Sequence, residues 1–469
     1  MTDDLAGAPA TELAARLHAG EVSAREVLDA HLRRIDEANP AVNAIVTLVP
    51  ERAAAEAAAA DEALARGAEV GPLHGLPIAI KDLVATAGIR TTFGSPIFAD
   101  HVPATDDLLV TRIRAAGAIV LGKTNTPEWG AGSHTFNPVF GTTVNPYDRS
   151  RTAGGSSGGA AAALALGMIP IADGSDLGGS LRNPAAFCGV VGLRPSPGRV
   201  PSWPTDEPED DLSVDGPMGR SVEDAALLLS AIAGPDRRIP ISLPEPGSAF
   251  TPPLDADVAG ARVAFAPSGD GAMPFDPAIV RVVEDAGPIL SAIGCRLVDG
   301  FPDLAGARDA FLTLRARSYA RSLGDALATD RDRIKSTVVW NVEAGLALTP
   351  EEIARAEAAT QAIHRRVDAF LEDVDAIAMP VTQVPPFDAS IEYPTEVAGV
   401  AMLTYLDWMA SCWTITVTGL PAISVPCGTT DDGLPVGLQL VGRRGGDLAL
   451  LRLAHAFQLA SATRTSPVR

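Results

Sequence analysis

Two glycine-rich turns constrain this chain more than anything else in it. The first is Gly154-Gly155-Ser156-Ser157-Gly158-Gly159, and the second runs Gly174-Ser175-Asp176-Leu177-Gly178-Gly179-Ser180-Leu181-Arg182. Glycine is needed where a backbone takes positive φ or where another group must come close. Two such turns around one short element therefore predict a site made largely of main-chain N–H groups. Between them, Ala160 to Leu166 is a strong helix former, and Ile169 to Ala172 reads as a buried strand. Ser156 then falls at a helix start. Ser180 falls on the second turn, with the amides of Leu177, Gly178, Gly179 and Ser180 arranged around whatever it attacks. A serine hydroxyl is a weak nucleophile and needs a base. No histidine occurs between His134 and His364, so the base comes from elsewhere in the chain.

Lysine usage points to that base. Only Lys81, Lys123 and Lys335 are lysines among the 37 basic residues. Arginine cannot be deprotonated in a protein, so a position that must accept a proton resists replacement by it. Lys81 ends the apolar run Pro77 to Ile80, which reads as a buried strand, and burial disfavours the ammonium. A bland alternative pairs Lys81 with Asp82, although neighbours on a strand point to opposite faces. Lys123, after the strand Ala118 to Leu121, reads as structural.

These residues resemble the amidase signature hydrolases. The likeness covers Gly154 to Ser196, including Phe187-Cys188-Gly189-Val190-Val191-Gly192-Leu193, and extends to Gly75-Leu76-Pro77-Ile78-Ala79-Ile80-Lys81-Asp82 and Gly419-Leu420-Pro421-Ala422. It implies Ser180 as nucleophile, Ser156 as a bridging serine in a cis peptide and Lys81 as base. It implies no metal and no organic cofactor. Ser175, Leu177, Leu181 and Asn183 depart from common relatives without removing a reacting group, and Arg194 stands where relatives often carry lysine. By the same resemblance the backbone around Gly130 and Gly132 touches substrate. Trp129 either packs nearby or serves as a core aromatic. Asp176 and Arg182 flank the nucleophile, and a buried charge pair fixing the turn is the reading for them.

Helices alternate with short apolar strands along all 469 residues, which argues for an α/β fold layered around a mixed sheet. The resemblance makes this a single α/β/α sandwich domain over 1–469, with a helical N-terminal segment 1–68 and a variable pocket region at about 200–400. Thr11 to Asn39 reads as two amphipathic helices broken at Gly20 with Ser23 capping the second. Glu51 to Arg66 reads as a third; these helices offer either a homodimer surface or a cover for the core. Asp206 to Asp211 reads as a solvated charge run. The middle third carries no strong motif. Trp129, Phe136 and Phe140 point to neutral aryl or alkyl amides, with esters and carbamates open to the same chemistry.

A formal net charge of −21 with no cluster of Lys or Arg argues against nucleic acid and anionic membranes as partners, and the resemblance implies a small-molecule amide as substrate. The N-terminus is acidic where a secretory signal is basic, and no apolar run reaches the ~18 residues of a membrane helix. Cys188, Cys295, Cys412 and Cys427 are scattered in apolar surroundings without metal-ligand spacing, which suits a cytoplasmic location.

Two rivals share the motif. Gly155-Ser156-Ser157-Gly158-Gly159 satisfies the nucleophile-elbow pattern with Ser157 as nucleophile, but polar Arg149 to Ala153 stands where a strand is required, and the best late histidine, His455, falls in a helix. The other rival is the glutamine-hydrolysing subunit of an aminoacyl-tRNA amidotransferase. Against it, Ile363 aligns with the arginine by which that protein holds glutamine's carboxylate, and the acidic charge suits a tRNA complex poorly.

Overall fold

The structure, a computed structural model, describes residues 4–461 and Val468; Met1 to Asp3, part of the acidic N-terminus, lie outside them. Helix α1 (Ala10–His18) stops at Gly20, whose φ of +68° favours glycine, and α2 (Ala24–Val42) opens on a reciprocal cap between Ser23 and Glu26. Strand β1 (Ile45–Leu48) and helix α3 (Pro50–Ala65) follow. The N-terminal segment is therefore not wholly helical: β1 pairs antiparallel with β3 (Ile119–Thr124), which runs parallel to β2 (Pro77–Lys81). An asparagine C-cap with φ of +55° at Asn43 frees the chain to turn into β1. The apolar faces of α1 and α2 are buried in the main core, as a cover would be.

The second sheet has eight strands. Labelled in chain order they are β4 (Ile171–Asp176), β5 (Val191–Arg194), β6 (Val214–Gly219), β7 (Arg262–Phe265), β8 (Arg296–Val298), β9 (Ala376–Pro380), β10 (Ala422–Thr429) and β11 (Pro435–Val441). The spatial order is β8-β7-β9-β11-β10-β5-β6-β4, with β7 parallel to β8 and β9 and the remaining pairs antiparallel. This is a mixed α/β fold with one dominant hydrophobic core. Every residue of β2 is buried, as is α4 (Gly158–Ala165), the alanine-rich helix between the two turns. Small side chains let α4 lie close to its neighbours: a Cβ on Gly159 would stand 2.3 Å from the Asn125 amide nitrogen.

The strand expected at Ile169 to Ala172 instead starts at Ile171 and runs on to Asp176, so Gly174 and Ser175 belong to β4 and the turn begins at Leu177. Pairing with β6 through Asp176↔Val214 carries it that far. The acidic run is also more ordered than a free loop. Glu207 takes the Ser318 hydroxyl (2.9 Å) and pairs with Arg321 (3.0 Å), both on α6 (Ala307–Asp330). The Asp210 carboxylate caps the amides of Leu212 and Ser213.

Candidate active site

Strand β2 delivers Lys81 into the interior, where its side chain is fully buried. The amine lies 2.8 Å from Ser156 Oγ, 2.8 Å from Ser157 Oγ and 2.9 Å from Ser175 Oγ. No carboxylate pairs with it among the described residues. Asp82 turns the other way, to the Thr92 hydroxyl and amide, so the bland pairing fails. Burial lowers the Lys81 pKa from 10.5 to about 8, against the opposing pull of Asp173, Asp215 and Asp176. A neutral amine has two N–H groups and one lone pair. With three hydroxyls at hydrogen-bonding distance, one of them must donate to nitrogen, which is the arrangement a proton acceptor needs. The Asp173 carboxylate takes the Lys81 backbone amide at 3.0 Å and ties the small sheet to β4 at the edge of the large one. Lys123 is structural, as expected: its amine donates to the Val84 carbonyl (2.6 Å) and Thr86 hydroxyl (2.9 Å).

The peptide between Gly155 and Ser156 is cis. Beside it, the Ser157 amide donates to the Ser180 carbonyl at 3.2 Å, which joins the two glycine-rich turns. Ser180 is nearly buried, at 9% exposure, just before α5 (Arg182–Cys188). Gly179 has φ of +112°, and a Cβ there would meet Cys412 Cβ at 2.5 Å. Asp176 holds this turn: its Oδ1 accepts from Gly179 N and Arg182 Nη2, both at 2.9 Å, and its Oδ2 from Arg182 Nε at 2.9 Å and Leu181 N at 3.2 Å. Burial alone would raise the Asp176 carboxyl, but Arg182, helped by Arg194, holds it well below the usual carboxylate range. Because its amide is taken by Asp176, Gly179 falls out of the expected set of four oxyanion donors. The amides of Leu177, Gly178 and Ser180 remain.

A Cβ on Gly130 would stand 3.4 Å from Ser156 Oγ, and one on Gly132 would stand 3.8 Å from both Lys335 Nζ and the Tyr405 ring. Gly130 thus borders the Ser156 hydroxyl, whereas Gly132 faces Lys335 and Tyr405. Trp129, half-buried with φ of +46°, packs edge-on to Phe98 and joins a small cluster with Ala131, Leu327 and Val338. Phe136 lies under Lys335 Nζ at 4.3 Å, whereas Phe140 lies under Arg90. Ser157 and Ser175 are the neighbours of Lys81 that sequence reasoning did not assign to it. Ser157 carried a signal through the elbow pattern, though in the wrong role: its hydroxyl serves Lys81. The segment before it makes only isolated bridges, at Arg151 and Thr152, and His455 lies 3.8 Å from Asp255.

The Amidase family profile matches residues 26–451. The chain is 36% identical over 475 residues to a Glutamyl-tRNA(Gln) amidotransferase subunit of Synechococcus sp. (strain CC9605), covering 95% of each. It is 35% identical over 453 residues to Acylamidase of Rhodococcus erythropolis, covering 96% of this chain and 94% of that one. A solved bacterial aryl acylamidase of the amidase signature family superposes with a TM-score of 0.90 at 28% identity, over 97% of this chain and 96% of that one. Fold and relatives define a hydrolase of carbon–nitrogen bonds in amides. The chain belongs to the amidase signature family. Among the described residues no helix is long and apolar enough to cross a membrane.

Proposed function

We propose that this protein is a stand-alone amidohydrolase that cleaves a small linear amide through an acyl-enzyme on Ser180. The observation that carries the reading is the buried Lys81 amine, bonded to hydroxyls and to no carboxylate. Neutral Lys81 takes a proton through Ser156 as Ser180 Oγ forms a bond to the amide carbon. The developing oxyanion meets the amides of Leu177, Gly178 and Ser180. The tetrahedral adduct expels the amine, which receives the proton back through Ser156. Water then attacks the ester, and acid leaves. Asp176 and Arg182 hold the turn and touch no reacting atom. Esters and carbamates fall within the same acyl chemistry, and four free buried cysteines suit a reducing, cytoplasmic setting.

The relatedness to an amidotransferase component keeps glutamine as a second substrate reading. Intact-mass analysis during turnover of an anilide, an aliphatic amide, an ester and free glutamine tests both. An acyl adduct mapping to Ser180 with the non-glutamine substrates is the expected result. No adduct at Ser180 with any substrate would overturn the mechanism. Glutamine turnover that requires an added partner protein would overturn the stand-alone reading.

A further inference from the structure

Asn183, the second residue of α5, is fully buried, and its side chain stands directly under the turn that carries Ser180. A Cβ on Gly179 would lie 2.6 Å from Asn183 Nδ2, and the Asn183 backbone amide donates to the Gly179 carbonyl at 2.7 Å. From there the side chain reaches toward the other glycine-rich turn. Its Nδ2 donates to Ser133 Oγ at 2.8 Å, and the Ser133 hydroxyl donates to the Gly155 carbonyl at 2.6 Å. Its Oδ1 faces Cys412 Sγ at 3.1 Å, on the helix Ala410–Thr418.

The direction of these bonds follows from the groups themselves. A carbonyl only accepts, so the Ser133 proton goes to Gly155. Ser133 Oγ is then free to accept, and the donor that Asn183 can offer it is Nδ2. That leaves the amide oxygen to the Cys412 thiol, whose proton the Val381 carbonyl at 3.3 Å shares. Burial raises the Cys412 pKa, so the sulfur stays protonated and able to donate. Ser133 is 2% exposed and Cys412 fully buried, which leaves little water to replace a lost partner.

The Gly155 carbonyl belongs to the peptide that continues into Ser156, and Ser156 Oγ lies 2.8 Å from Lys81 Nζ. The two turns are therefore joined twice. One link is the backbone bond from Ser157 N to the Ser180 carbonyl at 3.2 Å, and the other runs from Gly179 through Asn183 and Ser133 to Gly155. A single hydrogen bond between two turns acts as a pivot. Two, made at different atoms, fix orientation as well as distance.

We propose that Asn183 is a positioning residue for proton transfer: through Ser133 it holds the Gly155–Ser156 peptide against the Ser180 turn, so that Ser156 Oγ serves both Lys81 and the nucleophile. The proposal rests on the Ser180 reading of the same site, and Asn183 itself touches no reacting atom. Misplacing a relay by a fraction of an ångström slows the chemical step without weakening substrate binding.

The test uses Asn183→Ala, Ser133→Ala and the double variant on an anilide and an aliphatic amide. Rates are taken per Ser180 that phenylmethanesulfonyl fluoride labels at completion, counted by intact mass, so that a misfolded fraction does not enter. Each single variant should lose about 10- to 100-fold in kcat on both amides, with KM within about twofold of wild type. Because both residues belong to one link, the double variant should be no more than about twofold slower than the slower single one. Should Asn183→Ala not fold, Ser133→Ala, which deletes only a hydroxyl, decides by the same kcat and KM criteria. A kcat within about twofold of wild type in either folded single variant, a loss carried by KM alone, or losses that multiply in the double variant would overturn the proposal. Failure of the underlying mechanism looks different: turnover then survives Ser180→Ala.

Discussion

The stretch from Lys81 to Arg194 and the stretch from Ala307 to Met409 meet at Gly178, and they are built on opposite principles. The first makes its chemistry from backbone turns and short hydroxyl side chains, packed so closely that Gly159 and Gly179 admit no Cβ. Its central charges are matched, Asp176 by Arg182 and Arg194. The second is built of long side chains, Phe311, Arg315 and Tyr319 from α6 and Tyr405 from a turn, and among the described residues its Arg315 guanidinium meets only neutral groups, the Tyr319 ring and the oxygens of Asn341, Tyr319 and Tyr405. A region that performs one step on every substrate can be closed and complete. We infer that the second stretch, the more variable in its side chains, is where substrates are told apart.

If that division is right, a change in the first stretch lowers turnover of all substrates alike. Lys81→Arg is the severest test, because it keeps a cation at the site while removing the only form able to take a proton. An anilide, an aliphatic amide and an ester should all slow, by about 10²- to 10⁴-fold for a lost general base. Circular dichroism should stay unchanged. Near-normal hydrolysis of any of them would take lysine out of the mechanism.

The wild-type pH profile gives the same distinction without a mutation. Lys81 must be neutral to act, and its pKa is depressed to about 8, so kcat/KM should rise with pH and level off above about 8, falling roughly tenfold per unit below. The charges around the amine come from Asp173 and Asp176 on β4 and Asp215 on β6, with Lys123 across the small sheet. Asp173 pulls the lysine pKa upward, so Asp173→Asn should move the limb toward lower pH. A limb that stays in place, or moves to higher pH, would argue that another group titrates.

The two stretches also differ in how far they could be read before the structure. The meeting of Lys81 with Ser156 and the Asp176–Arg182 pair were legible because each depends on residues close in sequence, or on a strand end that composition marks, and because glycine has few other reasons to cluster so densely. Ser157 and Ser175 were obscured by the same density: several serines in one motif do not say which of them faces the lysine. That Asp176 would occupy the Gly179 amide was equally invisible. Arg315 was unreadable for a different reason. Its partners Asn341 and Tyr405 stand 26 and 90 residues away and meet it only in the fold. In the fold, the helices, the layered α/β class and most strands followed from periodicity. Strand β1 was missed because four residues between two helices give too short a pattern, and β4 was cut short because Gly174 and Ser175 look like a turn until β6 pairs with them.

A gentler change in the first stretch is Ser157→Ala. It removes one of three hydroxyls from the Lys81 amine while Ser156 and Ser175 remain at 2.8 and 2.9 Å. One neutral hydrogen bond is worth about 1 kcal/mol, or roughly five- to tenfold in rate, and the loss should again be uniform across substrates. A dead variant would restore Ser157 as a nucleophile.

The smallest expected effect lies in the second stretch and is the most demanding of the comparison. Lys335 directly precedes the helix Ser336–Leu346, with its amine over the Phe136 ring, 3.8 Å from a Cβ position on Gly132 and 2.6 Å from Glu392. The pair is only partly shielded, with side chains 12% and 33% exposed, so it is worth about 1 kcal/mol or less. Lys335→Gln removes the ammonium and leaves Glu392 partly in water, where an unpaired carboxylate is tolerated. Nothing in the chain of contacts from Lys81 through Ser156 to the Ser180 turn passes through Lys335, so the common step should continue. What should change is the order of substrates: kcat/KM for an aromatic amide and for an aliphatic amide of similar size should diverge by about two- to fivefold from their wild-type ratio. Purified variant and wild type assayed side by side on the two amides give that ratio directly. An equal loss on both, beyond about 100-fold, would place Lys335 in the shared machinery. The second stretch would then be doing the same kind of chemistry as the first.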